Sequence, residues 1–170
     1  DKENGAYFFS PADANHLIAR TRTAFDNAVP AGNGTMIENL TTLYYLTGNV
    51  AHRERAEKII DVFTRQHFSQ FINMTSILNG FERLTKTIQV VILGELEDPE
   101  TRIMKDVVYT TGHPDIVLSF IPPGRKLPPK HPATGKEQVK GLVTAYVCIG
   151  TLCGLPITTP EGLKNALTVA

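Results

Sequence analysis

Apolar positions recur at helical spacing through the first half of the chain. From Thr87 onward they fall in β-branched runs punctuated by proline. Met36, Ile37, Leu40, Leu43 and Tyr44 share one side of a helix and Glu38, Asn39, Thr41 and Thr42 the other, the spacing of an amphipathic helix. Gly48 and Asn49 tolerate left-handed backbone and end it. The next segment begins at once. It puts Ala56, Ile59, Ile60, Phe63 and His67 on a buried stripe and leaves Arg53, Glu54, Lys58, Asp61 and Arg65 in water, with Glu54 and Lys58 paired at i, i+4. So short a connection predicts two antiparallel helices. A third helix is predicted from Met74 to near Leu84, with Met74, Ile77, Leu78, Phe81 and Leu84 inward and Asn73 as its cap.

The second half has another period. Ile88 to Leu93 is an almost unbroken apolar run closed by Gly94, which predicts a strand covered on both faces. Asp98 as N-cap and Pro99 at the first helical position open a helix whose buried stripe is Ile103, Met104, Val107 and Val108. Ile116 to Ile121 is a second strand, completing a βαβ unit, and Leu142 to Ile149 a third. Thr158 or Thr159 caps a last helix through Leu163, Ala166 and Leu167, and Thr158 with Glu161 fits a capping box. Between the second and third strands, five of the eleven prolines fall from Pro122 to Pro132. That stretch is an ordered or semi-rigid excursion and not a helix. Ahead of the helices the pattern is loose, with short strands expected at Tyr7 to Phe9 and at Leu17 to Arg22. The fold class expected is therefore α+β, with a helical part over residues 1–85 and a small α/β part of three strands and two helices over 86–170.

At 170 residues the chain has the size of one domain or of a piece of a larger one. Seventeen Lys and Arg balance seventeen Asp and Glu, which argues against a basic nucleic-acid binder and against a disordered acidic tail. No apolar run reaches membrane-spanning length, so no membrane partner is expected. Two cysteines are too few for a disulfide-built secreted domain, and a reducing, cytoplasmic setting is the default. The five histidines are scattered with no pair at i, i+4, so no metal site is expected, and no cofactor motif is present.

Candidate chemistry concentrates in Phe25-Asp26-Asn27-Ala28-Val29-Pro30-Ala31-Gly32-Asn33-Gly34, a loop of specified geometry leading into a helix N-terminus. Such an elbow can hold a polar or anionic ligand. The plainer alternative is that Asn33 caps the helix and the glycines turn the chain. Cys148 and Cys153, with four residues between them, match neither the two-residue redox spacing nor a full zinc site. They are redox candidates or simply two small residues at a strand end. Arg125, Lys126, Lys130, Lys136 and Lys140 against Glu137 alone make the Pro-rich excursion locally positive, suited to a phosphate, to an acidic partner or to plain solvation.

The stretch Asp26-Asn27-Ala28-Val29-Pro30-Ala31-Gly32-Asn33 resembles the D-[GN]-A-x-P-[SA]-G-N motif of the spermatogenesis-associated thioredoxin-like proteins and their bacterial relatives, a family of thioredoxin-domain-containing proteins. Gly5-Ala6-Tyr7-Phe8-Phe9 with Asp13, Leu46-Thr47-Gly48, Gln89 to Gly94, Gly135-Lys136, Thr144 to Cys148, Cys153, Pro156 and Thr158 are similar to further family segments, in order along nearly the whole chain. Ala6 stands where the family pattern has a second glycine. The resemblance implies a place in a longer protein that begins with a thioredoxin-like domain, continues into an (α/α) toroid similar to N-acylglucosamine 2-epimerases and six-hairpin glycosidases, and ends in a small α/β appendage. On that view the chain holds the closing helices of the toroid and the appendage, and Asp at position 1 agrees with a fragment.

Toroids of this type bind ligands on the loops at one end of the inner helices. The resemblance therefore makes Asp26 and Asn33, with Phe9, Asp13, Arg20 and Arg22, the expected contacts to a carbohydrate-like small molecule. No catalytic residue is assignable from this stretch, and whether the chain is an enzyme stays open. The alternative is a non-catalytic scaffold or redox-partner module for the thioredoxin-like domain. The missing N-terminal part is the expected partner, and faces meant for it would drive the fragment to self-associate.

Overall fold

The computed structural model describes residues 1–67, 72–150 and 152–169. Among the described residues five α-helices and four strands follow one another: α1 (Gly32–Thr47), α2 (Val50–His67), α3 (Thr75–Lys86), β1 (Ile88–Leu93), α4 (Pro99–Thr110), β2 (Ile116–Ile121), β3 (Thr144–Ile149), β4 (Leu152–Cys153) and α5 (Pro160–Val169). The class is α+β. The chain forms two compact units, one of Asp1–Tyr44 with Asn49–Thr85 and one of Tyr45–Gly48 with Lys86–Ala170.

In the first unit Ile37 and Leu40 of α1, Ala56, Ile59, Ile60 and Phe63 of α2, and Ile77 and Leu84 of α3 share one core with Ala6, Ala24 and Met74. The α2 stripe is the expected one; the His67 side chain lies outside the described residues. The surface pairs of α2 are Arg53 with Glu57 at 2.8 Å and Arg65 with Asp61 at 2.9 Å, and the expected Glu54–Lys58 pair does not form.

The inward face of α3 differs from expectation. Ser76, Ile77, Gly80 and Leu84 are buried, whereas Leu78 and Phe81 are 39% and 50% exposed. The reason is close approach of α1 and α3. A Cβ at Gly34 would stand 2.2 Å from Ser76 Oγ and 2.6 Å from the Ser76 carbonyl carbon, and one at Gly80 would stand 2.8 Å from Ile37 Cβ. Two backbones this near must meet on small residues, and the large ones turn outward. The same rotation buries Thr41 of α1, expected on the polar side, and exposes Leu43.

Ahead of α1 the expected strands are absent. Phe9 N–H donates to Thr21 O at 2.8 Å, but no ladder develops, because the Tyr7 N–H and C=O are both bonded by the Asn33 side chain. Ala6 adopts φ of +62°, in the left-handed region that favours glycine.

The second unit is a sheet of order β2-β1-β3-β4, with β1 parallel to β2 and antiparallel to β3. Every β1 residue is buried, and its alternation explains how. Ile88, Val90 and Ile92 face Met104 and Val108 of α4 and Leu163 and Leu167 of α5. Val91 and Leu93 face the other way, toward Ala133 and Leu127 of the Pro-rich excursion. That excursion supplies the second cover. Gln89 on the same side is buried and donates Nε2–H to Tyr45 O at 2.8 Å.

Asp98 caps α4 as expected, accepting from Glu100 N–H with Pro99 behind it. At α5 the cap is Thr159, whose Oγ1 accepts from Gly162 N–H at 3.2 Å, so the Thr158–Glu161 box does not form. The two-residue β4 is a fourth strand beyond the three expected. It pairs Cys148 with Cys153 and Ile149 with Leu152.

Gly34→Ala should therefore lower the unfolding free energy by about 1–3 kcal/mol, through overpacking against Ser76 backbone. Gly32→Ala, where a Cβ meets nothing within 4 Å, should be close to neutral. Urea titration followed by circular dichroism separates the two.

Candidate functional site

The elbow before α1 is a hydrogen-bonded knot. Asp26 Oδ1 accepts from Ala31 N–H at 2.8 Å and from Ser76 Oγ–H, and Oδ2 accepts from Ser76 N–H at 2.7 Å. Asp26 N–H in turn donates to Asn73 O at 2.8 Å. The carboxylate thus does for α3 what Asn73 was expected to do, from a position 50 residues away in sequence. Burial pushes the Asp26 carboxyl up, but hydrogen bonds from the Ser76 hydroxyl and from the Ala31, Ser76 and Thr75 amides outweigh it and hold the pKa below the ordinary value.

Asn33 is 3% exposed. Its Oδ1 accepts from Tyr7 N–H at 2.7 Å, and its Nδ2 donates to Tyr7 O at 3.0 Å and Thr23 O at 2.9 Å. The side chain staples the N-terminal segment to the start of α1. Asp26 and Asn33 therefore present their polar atoms to backbone and to Ser76.

The remaining ligand candidates form a separate group. Arg20 lays its guanidinium 4.1 Å from the centroid of the Phe8 ring and donates Nη2–H to Ser10 O at 2.8 Å. Arg22 stands 5.8 Å from the same ring and pairs with Asp1 at 2.8 Å. Phe8, not Phe9, is the aromatic that gathers the arginines. Phe9 is 83% exposed, and Asp13 lies exposed in the loop that follows. Arg55 of α2 adds a similar contact, bonding the Tyr7 hydroxyl and lying 5.4 Å from that ring. The periodicity of a loop carries no signal for which of two neighbouring aromatics turns inward. That the first amides of α3 need acceptors was legible, but not that Asp26 meets the need at Ser76.

Cys148 and Cys153 are joined by a disulfide across the β3–β4 pair, with Cα atoms 4.0 Å apart. Cys148 is buried and Cys153 exposed, so an external thiolate would reach the bond from the Cys153 side. Disulfides form and persist in oxidising surroundings and are rare in a reducing cytoplasm. Among the described residues no group of three or more His, Cys, Asp or Glu is placed to hold a metal, and no helix is long and apolar enough to cross a membrane.

Two measurements follow from this geometry. Asp26→Asn should cost about 1–3 kcal/mol at neutral pH, by leaving buried donors facing an amide. Because the folded pKa is depressed, the stabilisation by Asp26 is present above the unfolded value near 4 and is lost as pH falls through the folded one. The difference between wild type and variant should then shrink in acid, as read by urea midpoints across a pH series. Cys153→Ser, which opens a very short loop, should lower stability by no more than about 2 kcal/mol in non-reducing buffer.

No family model matches the chain. Spermatogenesis-associated protein 20 of Homo sapiens is 25% identical over 177 aligned residues, covering 98% of this chain and 22% of its own length. The Rattus norvegicus protein of the same name gives the same identity and coverage. The chain thus spans about a fifth of the length of these relatives, matching their C-terminal part.

Proposed function

We propose that this chain works as a non-catalytic structural module of a longer polypeptide, offering a docking face to the part that precedes it. The observation that carries the reading is the engagement of Asp26 and Asn33 by groups of their own unit. A sugar-transforming site needs two carboxylates at a set separation, or an acid and a base poised near neutrality. Both Asp26 oxygens are taken up by Ala31 and Ser76, an engagement that suits neither task.

The resemblance to thioredoxin-domain-containing proteins supplies the neighbours this reading needs, a toroid and a thioredoxin-like domain. Likeness of fold to sugar epimerases and glycosidases is a weak warrant for their reactions. Leu78 and Phe81 on α3, with Ile72 just before it at 88% exposure, offer apolar surface of the kind that inter-helix packing covers. A cytoplasmic location belongs to the same reading, with Cys148 and Cys153 present there as thiols.

Produced as separate polypeptides, this chain and the preceding part of its gene product should co-elute on size exclusion. Phe81→Glu should weaken the complex about tenfold or more. Alone, the chain should self-associate in analytical ultracentrifugation, and less so with Phe81→Glu. Saturable binding of N-acetylglucosamine by the isolated chain, abolished by Asp26→Asn, would sink the proposal in favour of the sugar cavity.

A further inference from the structure

The basic, Pro-rich excursion of the second unit encloses something the structural-module reading does not use. β1 and β2 run parallel with Leu93 opposite Ile121, so their carboxyl ends finish side by side. In open α/β sheets the space beyond the carboxyl ends of parallel strands is a recurrent ligand site. Here a cavity of about 410 Å³ opens at that edge, large enough for a small organic molecule. Leu93, Ile121, Leu127 and Ala133 give it an apolar floor, and Arg125 and Lys136 stand in its wall.

The charges of the wall are unbalanced. From Pro122 to Lys140 there are five Lys and Arg and one acid, Glu137, which also lines the cavity. Among the described residues neither Arg125 nor Lys136 has a carboxylate within ion-pair distance. Lys136 Nζ, half-buried, donates to Pro132 O at 2.8 Å and lies 5.6 Å from the centroid of the Tyr146 ring. Its burial lowers its pKa from the ordinary lysine value. His131 is lowered first by burial, and the charges of Arg125 and Lys136 add to that against a hydrogen bond to the Leu46 backbone. An anion bound between Arg125 and Lys136 would offset the desolvation of the Lys136 ammonium.

Backbone donors are present as well. Gly124 and Gly135 line the cavity at φ of +75° and +79°, and a Cβ on either would enter open space. Their amides make no hydrogen bond among the described residues. Amides in left-handed turns beside basic side chains are a recurrent anion-binding arrangement.

We propose that this crevice binds a small organic anion, its phosphate or carboxylate held by Arg125, Lys136 and the glycine amides and its apolar body resting on Leu93, Ile121, Leu127 and Ala133. The test is a ¹⁵N–¹H NMR titration of the full chain with phenyl phosphate, benzoate and the neutral analogue phenol. Saturable shifts at the Gly124, Gly135 and Lys136 amides are expected with an anion and not with phenol, and the tighter of the two anions identifies the headgroup. Arg125→Gln replaces an exposed side chain that has no ion pair among the described residues, so the fold should be kept, and it should weaken binding about tenfold. Lys136→Gln should do the same, with an unchanged spectrum elsewhere confirming the fold. No saturable shift with either anion, equal response to phenol, or affinity untouched by Arg125→Gln would overturn the proposal.

Discussion

A helix that starts inside a folded unit must find acceptors for its first amides, and that requirement organises the helical half of this chain. The Asp26 carboxylate meets it for α3 through Ser76, while also taking Ala31 N–H at the entrance to α1. One ionised group thereby fixes the distance between two helix beginnings. The close approach of α1 to α3 follows, and with it the need for Gly34 and Gly80 at their contact. Asn33 extends the knot by holding both backbone groups of Tyr7, which brings the N-terminal segment over the same core. Ligand-like residue types in an elbow thus serve to make the elbow itself.

How much of this was legible depends on how local each cause is. The α2 stripe, the buried β1, the Asp98–Pro99 helix start and the α+β class all rest on spacing within a few residues, and all are found. The face of α3 was not legible, since Leu78 and Phe81 are turned outward by glycines on two helices at once. Nor was the partner of Asp26, because the pairing with Ser76 joins a loop to a helix start 50 residues away. Two cysteines with an unfamiliar spacing became intelligible only when β4 set them opposite one another. For the six ligand candidates the chain pattern gave residue types, and the fold sorted them into the Asp26–Asn33 knot, the Arg20–Phe8–Arg22 stack, and the exposed Phe9 and Asp13.

The α/β half answers a different constraint. A central strand with both faces apolar needs two covers, and α4 and α5 lie on one side only. The Pro-rich excursion between β2 and β3 makes the other, with Leu127 and Ala133 on the sheet and Arg125, Lys126 and Lys130 exposed. Proline suits that task, since a cover without helix or strand must be stiff and must leave few amides in need of partners. The same geometry leaves the carboxyl ends of β1 and β2 open under a basic rim.

The residues Tyr45–Gly48 belong to the sheet unit although the rest of α1 belongs to the helical one. Gln89 is satisfied by the Tyr45 carbonyl, and Gly48, at φ of +70°, leaves no room for a side chain beside Lys130 O. Anyone dissecting the molecule by severing the chain once between Thr85 and Lys86 would strip the sheet of this four-residue patch and strand a buried amide. Excision of the β half as an autonomous piece calls for that patch to be grafted back.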